Sequence, residues 1–265
     1  MYDLLTISGP TASGKTKLAA HVCAQISGEI ISADSRQVYR GMDIGTGKDL
    51  ADYSVNKQAI PYHLIDILAA GGRYNISLYQ KDFLRVYNEI RERGNFPVLC
   101  GGSGLYIDAV VSGYQLIPGK KSSKATSSIN NLYVCIHLTR EQRRERITTR
   151  LHQRLQEGMV EEAQQLLQQG VTVEDMLFYG LEYKFLALYL TEKLSYSEMV
   201  ERLNAAIHQF AKRQMTWFRS MERKGTHIHW IDATLPLEEK VLQIVRLLNR
   251  PTEPLFGIEE QQCPK

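Results

Sequence analysis

No hydrophobic run in the chain approaches the ~18 residues of a membrane-spanning helix. The N-terminus enters Leu4-Leu5-Thr6-Ile7 without a charged leader or a cleavage site, so neither a span nor a signal peptide is expected. Cysteine is sparse: Cys23, Cys100, Cys135 and Cys263 are scattered with no CxxC pair. That pattern excludes a disulfide framework or a zinc site and points to a reducing cytoplasm. One-sided charge is also missing, since 32 Lys+Arg face 29 Asp+Glu for a net +3. A nucleic-acid footprint must therefore come from where the basic residues lie. Disorder is excluded by an apolar content of 43%. There is no internal repeat, and 265 residues suit one large domain or a domain with an appendage.

Short apolar runs alternate with helix-like segments through the first third. Leu4 to Ser8 reads as a buried strand and Lys15 to Ile26 as a helix. Glu29 to Ala33, Leu64 to Leu68 and Phe96 to Cys100 read as further strands, with helices over Ser77 to Arg93 and from Leu105 to Val111. Such alternation predicts an α/β fold with a parallel sheet flanked by helices. Pro118 to Asn131 is rich in Ser, Thr and Lys and reads as an exposed, flexible connection. Leu132 to Leu138 and His227 to Ile231 read as core strands. Arg140 to Gln169, Glu182 to Leu190 and Ser195 to Arg223 read as helices. The expected layout is a core over 1–138 with a reduced insertion at 114–131, then an added helical portion over 139–225. A last strand and C-terminal helix over 226–249 follow, and then a frayed tail over 250–265.

Gly9-Pro10-Thr11-Ala12-Ser13-Gly14-Lys15-Thr16 matches GxxxxGK[ST] between a strand and a helix. The glycines let backbone N–H groups converge on an anion, Lys15 neutralises phosphate oxygens, and Thr16 is placed to ligate Mg²⁺. This predicts phosphate or diphosphate binding and leaves ATPase, kinase and transferase reactions open. A second glycine cluster, Gly101-Gly102-Ser103-Gly104, follows the strand Phe96–Cys100 at the edge where open α/β sheets bind ligands, or forms only a tight turn. Asp34, just after the second strand, is a candidate metal ligand, general base or turn cap.

The phosphate loop followed by Ile31-Ser32-Ala33-Asp34-Ser35-Arg36-Gln37-Val38-Tyr39-Arg40-Gly41-Met42-Asp43-Ile44-Gly45-Thr46-Gly47-Lys48 closely resembles the tRNA dimethylallyltransferase (tRNA isopentenyltransferase) family. Pro61-Tyr62-His63-Leu64-Ile65-Asp66-Ile67, the Gly101–Tyr106 cluster and Ala211-Lys212-Arg213-Gln214-Met215-Thr216-Trp217-Phe218-Arg219 agree in order. The resemblance implies a P-loop NTPase-like fold. It also implies transfer of the dimethylallyl group of dimethylallyl diphosphate to N6 of an adenosine beside the tRNA anticodon, with Mg²⁺ as cofactor. Gly9 to Thr16, Arg146 and Arg150 are then the diphosphate-binding set. Lys15, Thr16 and Arg150 stabilise the leaving group, Thr16 is the metal ligand, and Asp34 is the base acting on a flipped adenine. Asp34, Ser35, Arg36, Gln37, Gly102, Ser103, Lys212, Arg213 and Gln214 are the expected tRNA contacts, with Gln37 offering amide groups to a base edge. Trp217 and Phe218 read as core.

Six arginines and two glutamates between Arg140 and Arg154 make a basic segment, with Arg143, Arg146, Arg150 and Arg154 on one helix face. Lys212, Arg213, Arg219, Arg223 and Lys224 against Glu222 make another. Either is a candidate for RNA phosphate contact or a solvated face. Relative to the family, the tRNA-gripping helical insertion is reduced to Tyr114–Asn131. Ile207-His208 replaces the family's Thr-Arg, and Gly180-Leu181-Glu182-Tyr183-Lys184 replaces its Gly-Tyr-Lys/Arg. Prenylation of a free adenine nucleotide, a P-loop small-molecule kinase and a non-catalytic RNA-binding paralogue stand as rival readings. A cytoplasmic monomer, away from membranes, is expected.

Overall fold

The structure, a computed structural model, describes residues 2–111 and 129–249, together with the backbone at 114–115 and 123–124. Six parallel strands form the central sheet. They are β1 (Leu4–Ser8), β2 (Gly28–Ser32), β3 (Tyr62–His63), β4 (Phe96–Gly101), β5 (Asn131–His137) and β6 (Ile228–Asp232). Their order across the sheet is β6-β5-β1-β4-β2-β3. Leu5 of β1 sits between Val98 and Leu132, and every β1 residue is buried, as a strand covered on both faces must be.

The first two helices are α1 (Lys15–Ile26) and α2 (Ile76–Glu92), followed by the short α3 (Gly104–Val111). After β5 come α4 (Arg140–Gln156), α5 (Met159–Gln168), α6 (Val173–Phe178), α7 (Leu181–Leu190) and the long α8 (Tyr196–Arg223). Helix α9 (Leu237–Leu248) closes the described chain. One sheet face packs Ile7, Val98 and Val134 against α1 and α9. The opposite face packs Leu4, Leu99 and Tyr133 against α2, α3 and the C-terminal half of α8. A third core lies away from the sheet, where Tyr39 and Met42 meet α4, α5, α7 and the N-terminal half of α8. Helix α8 therefore belongs to two cores at once.

Three expectations need correction. No strand runs over Leu64–Leu68, because Leu64 and Asp66 have positive φ, and the edge pairing falls instead at Tyr62–His63. The expected single helix from Arg140 is broken at Gly158, whose φ of 100° ends one helix and starts the next. Helix α6, opened by a capping box of Thr172 with Asp175, was not expected: six residues are too few for a helical period to register. Most of 114–131 and all of the tail over 250–265 lie outside the described residues.

Candidate active site

The carboxyl ends of β1, β2 and β4 meet at one cavity of about 580 Å³. Thr11 to Thr16 form one wall, with Lys15 opening α1. Asp34 to Gln37 follow β2, Gly101 ends β4, and Gly102 to Tyr106 follow it. The helical portion closes the cavity with Arg150 of α4, the start of α7, and Ile207, Phe210, Arg213, Gln214 and Trp217 of α8. Segments more than a hundred residues apart in sequence thus face one space.

Asp34 accepts the Arg36 backbone N–H on Oδ1 at 2.9 Å, so it caps its turn while lining the cavity. Ser103 holds the neighbouring loop by accepting the Ser35 N–H at 3.1 Å. The glycine cluster is required by crowding from protein: a Cβ at Gly101 would fall 2.3 Å from the Ala33 carbonyl oxygen, and one at Gly104 2.4 Å from the Trp217 ring. Gln214 joins the two halves. Its Oε1 accepts the Thr11 N–H at 2.9 Å, and its Nε2 donates to the Gly102 carbonyl at 2.8 Å.

Burial lowers the Lys15 ammonium below its ordinary pKa, while the Asp34 carboxylate pulls it back up. Burial also pushes the Cys100 thiol up to about 12, so it stays neutral beside Lys15. Among the described residues Ser13 Oγ is buried and finds no hydrogen-bond partner, a polar group left for a ligand inside the loop. The loop from Asp43 to Asp49 is braced from several sides. Glu162 accepts the N–H groups of Asp43, Ile44 and Gly45 at 2.7, 2.7 and 3.0 Å. The buried Lys48 binds the Tyr39 carbonyl, Asp43 and Asp66. Arg154 donates to Ile44 O at 2.7 Å and pairs with Asp49 at 3.0 Å.

The expected site residues divide accordingly. Thr11 to Thr16, Asp34 to Gln37, Gly102, Ser103, Arg150, Arg213 and Gln214 line the cavity. Gly9 and Pro10 are buried beneath the loop. Arg146 is exposed beside Lys240, and Lys212 is exposed outside the cavity lining. Gln37 departs from its expected use. Its Oε1 accepts from Ser32 Oγ at 3.3 Å and its Nε2 donates to Gly47 O at 3.0 Å, so both ends of the amide are engaged internally. Arg154 is buried and structural, although its sequence spacing puts it on one face with Arg143, Arg146 and Arg150. Phe218 is core, but Trp217 lines the cavity and is 37% exposed.

Sequence reasoning overlooked Glu182. It lines the cavity, and burial raises its carboxyl above the ordinary range, with Asp34 adding and Arg154 and Arg150 opposing. The only sequence signal was its place in the altered Gly180–Lys184 stretch. Ile207 and Phe210, part of the apolar wall, carried no signal because helix periodicity does not distinguish a core from a cavity.

A phosphate loop at the carboxyl edge of a parallel sheet, covered by an arginine-bearing helical portion, defines a P-loop-type phosphate-binding protein. A family model described as IPP transferase matches residues 37–131 and 118–221. A "tRNA dimethylallyltransferase 1" of Parabacteroides distasonis is 50% identical, covering 94% of this chain and 98% of the relative. A "tRNA dimethylallyltransferase 2" of Bacteroides fragilis is 48% identical over 91% of this chain and 96% of its own. The crystal structure of a tRNA delta(2)-isopentenylpyrophosphate transferase from Staphylococcus epidermidis superposes with a TM-score of 0.81 at 27% identity. It covers 94% of this chain and 99% of the other. The chain belongs to the tRNA dimethylallyltransferase family.

Proposed function

We propose that the protein transfers the dimethylallyl group of dimethylallyl diphosphate to N6 of an adenosine next to the tRNA anticodon. The observation that carries this reading is the cavity itself. A diphosphate cradle and a carboxylate at Asp34 share one space with an apolar wall of Tyr53, Ile207, Phe210 and Trp217. An alkyl diphosphate and an acceptor amine need those three environments together. The activities named for the relatives from Parabacteroides distasonis and Bacteroides fragilis support it.

In this mechanism N6 attacks C1 of the dimethylallyl group, and the C1–O bond to diphosphate breaks. Asp34 takes the proton released from N6. Loop N–H groups, Lys15 and Arg150 stabilise the charge that grows on the departing diphosphate. The donor set suits Mg²⁺: the Thr16 hydroxyl lines the cavity with the carboxylates of Asp34, Asp49 and Asp52. Among the described residues no cluster of three or more His, Cys, Asp and Glu side chains could hold a metal. Mg²⁺ needs none, since phosphate oxygens and water fill most of its shell. When bound it supplies further charge neutralisation to the diphosphate. The buried, free thiols of Cys23, Cys100 and Cys135 suit a reducing cytoplasm, and among the described residues no helix is long and apolar enough to cross a membrane.

The test is incubation with labelled dimethylallyl diphosphate, Mg²⁺ and either bulk tRNA or AMP. Label is expected in tRNA. Label in AMP alone indicates a free-nucleotide acceptor, and label in neither overturns the prenyltransferase reading.

A further inference from the structure

Helix α6 has no part in the chemistry above, yet its last residue is bonded to the loop that carries Asp34. Arg36 donates from its guanidinium to the Phe178 carbonyl at 2.8 Å. That carbonyl belongs to the final turn of α6, where the helix has no N–H of its own left to bond it. Arg36 also lies over the Phe178 ring, 5.8 Å from its centroid, and Arg73 lies over the same ring at 4.2 Å. Arg73 in turn pairs with Asp175 of α6 at 3.0 Å. Gly180, just ahead of α7, makes the room: a Cβ there would fall 3.1 Å from Arg36 Nε, and its φ of 122° suits glycine alone. The anchor is firm. Buried Tyr179 packs on Tyr39 with ring centroids 4.5 Å apart and donates to the Gly72 carbonyl at 3.1 Å.

At its other end Arg36 sets the Asp34 carboxylate, because Oδ1 accepts the Arg36 backbone N–H. Ser35 and Gln37 are held through Ser103, Ser32 and Gly47, and Arg36 extends that hold to the helical portion. Resting on the prenyl-transfer reading above, we propose that Arg36 is a positioning residue: clamped on the end of α6, it fixes the turn that presents Asp34 to the acceptor amine. Its guanidinium is thereby spent on the protein rather than on an RNA phosphate. The gain is in the chemical step, since a reacting group displaced by about 1 Å costs roughly a hundredfold in rate.

The test compares Arg36→Met and Arg36→Lys with wild type in single-turnover prenylation, donor titration, tRNA KM across salt concentrations, and amide exchange over residues 34–37. Arg36→Met should lower the single-turnover rate about ten- to hundredfold. Donor affinity, tRNA KM and the salt slope should stay as in wild type, and Tm should fall by no more than about 2–4 °C. Arg36→Lys should recover most of the rate, because an ammonium can still donate to the Phe178 carbonyl. Exchange at the Arg36 amide should quicken in the methionine variant as its bond to Asp34 loosens. A methionine variant as fast as wild type would overturn the proposal. So would a loss confined to tRNA KM with a salt slope smaller by about 0.7 to 0.9, the signature of one phosphate contact. Wild type that prenylates neither tRNA nor AMP would defeat the functional reading. Faster exchange at Arg36 in the variant would then still uphold the clamp, and unchanged exchange would end it.

Discussion

At the scale of single residues, Asp34 has two duties on one carboxylate. Oδ1 caps the turn through the Arg36 N–H, and the group faces the cavity with Lys15 nearby. An asparagine can accept the same backbone hydrogen bond but cannot take a proton from an amine. Asp34→Asn should therefore fold normally and bind the donor as wild type does, while product formation falls by about two to four orders of magnitude. Single-turnover rates beside a donor-binding titration check this, and turnover within a few-fold of wild type would rule Asp34 out as the base. Gln37 and Arg154 teach the opposite lesson. Each has the chemistry of a ligand contact, and each spends its hydrogen bonds on the protein.

At the scale of elements, the motif around Pro61–Asp66 acts as a brace. His63, at the end of the short edge strand β3, bonds the buried Glu29 of β2 at 2.6 Å. Arg93, at the end of α2, pairs with the same carboxylate at 2.7 Å, and Asn95 donates to it at 2.7 Å. These hydrogen bonds, Arg93 foremost, hold the Glu29 pKa near 2 against its ordinary 4.5. Between those values the unfolded chain binds the proton more readily than the folded one. The stabilisation is thus complete above the ordinary value and is lost as pH falls toward about 2. Half-exposed Arg93 admits screening, so its size is roughly 2 kcal/mol. Glu29→Gln should lower Tm at neutral pH and flatten the acid limb of the stability curve, as thermal melts from neutral to acid pH would show. A variant curve parallel to wild type would sink the assignment.

For the whole molecule, α8 is the beam that joins two cores. Met199 and Leu203 pack with the helical portion, and Met215 and Phe218 pack on the sheet. Gln214, between them, bonds both the phosphate loop and the Gly102 loop. A diphosphate in the cavity should therefore stabilise sheet and helical portion together. At a hundredfold excess over Kd, inorganic diphosphate with Mg²⁺ should add about 2.7 kcal/mol, or about 5–10 °C in Tm. The melt should remain a single transition. Lys15→Ala should abolish most of the rise without lowering the ligand-free Tm. A rise confined to one of two resolved transitions would show that the portions respond separately.

Local pattern alone determined five of the six strands of the central sheet, the phosphate loop at the start of α1, the place of Asp34 and the family. Each depends on a few contiguous residues whose periodicity or backbone geometry is set by their neighbours in sequence. Tertiary structure alone decided which polar groups remain for a ligand. Gln37, Lys48, Gln214 and Arg154 find partners between five and more than two hundred residues away. Glu182 and Trp217 reach the cavity only because α7 and α8 fold over the sheet edge. A side chain's chemistry is written in the sequence, but whether that chemistry is already consumed depends on what the fold brings beside it.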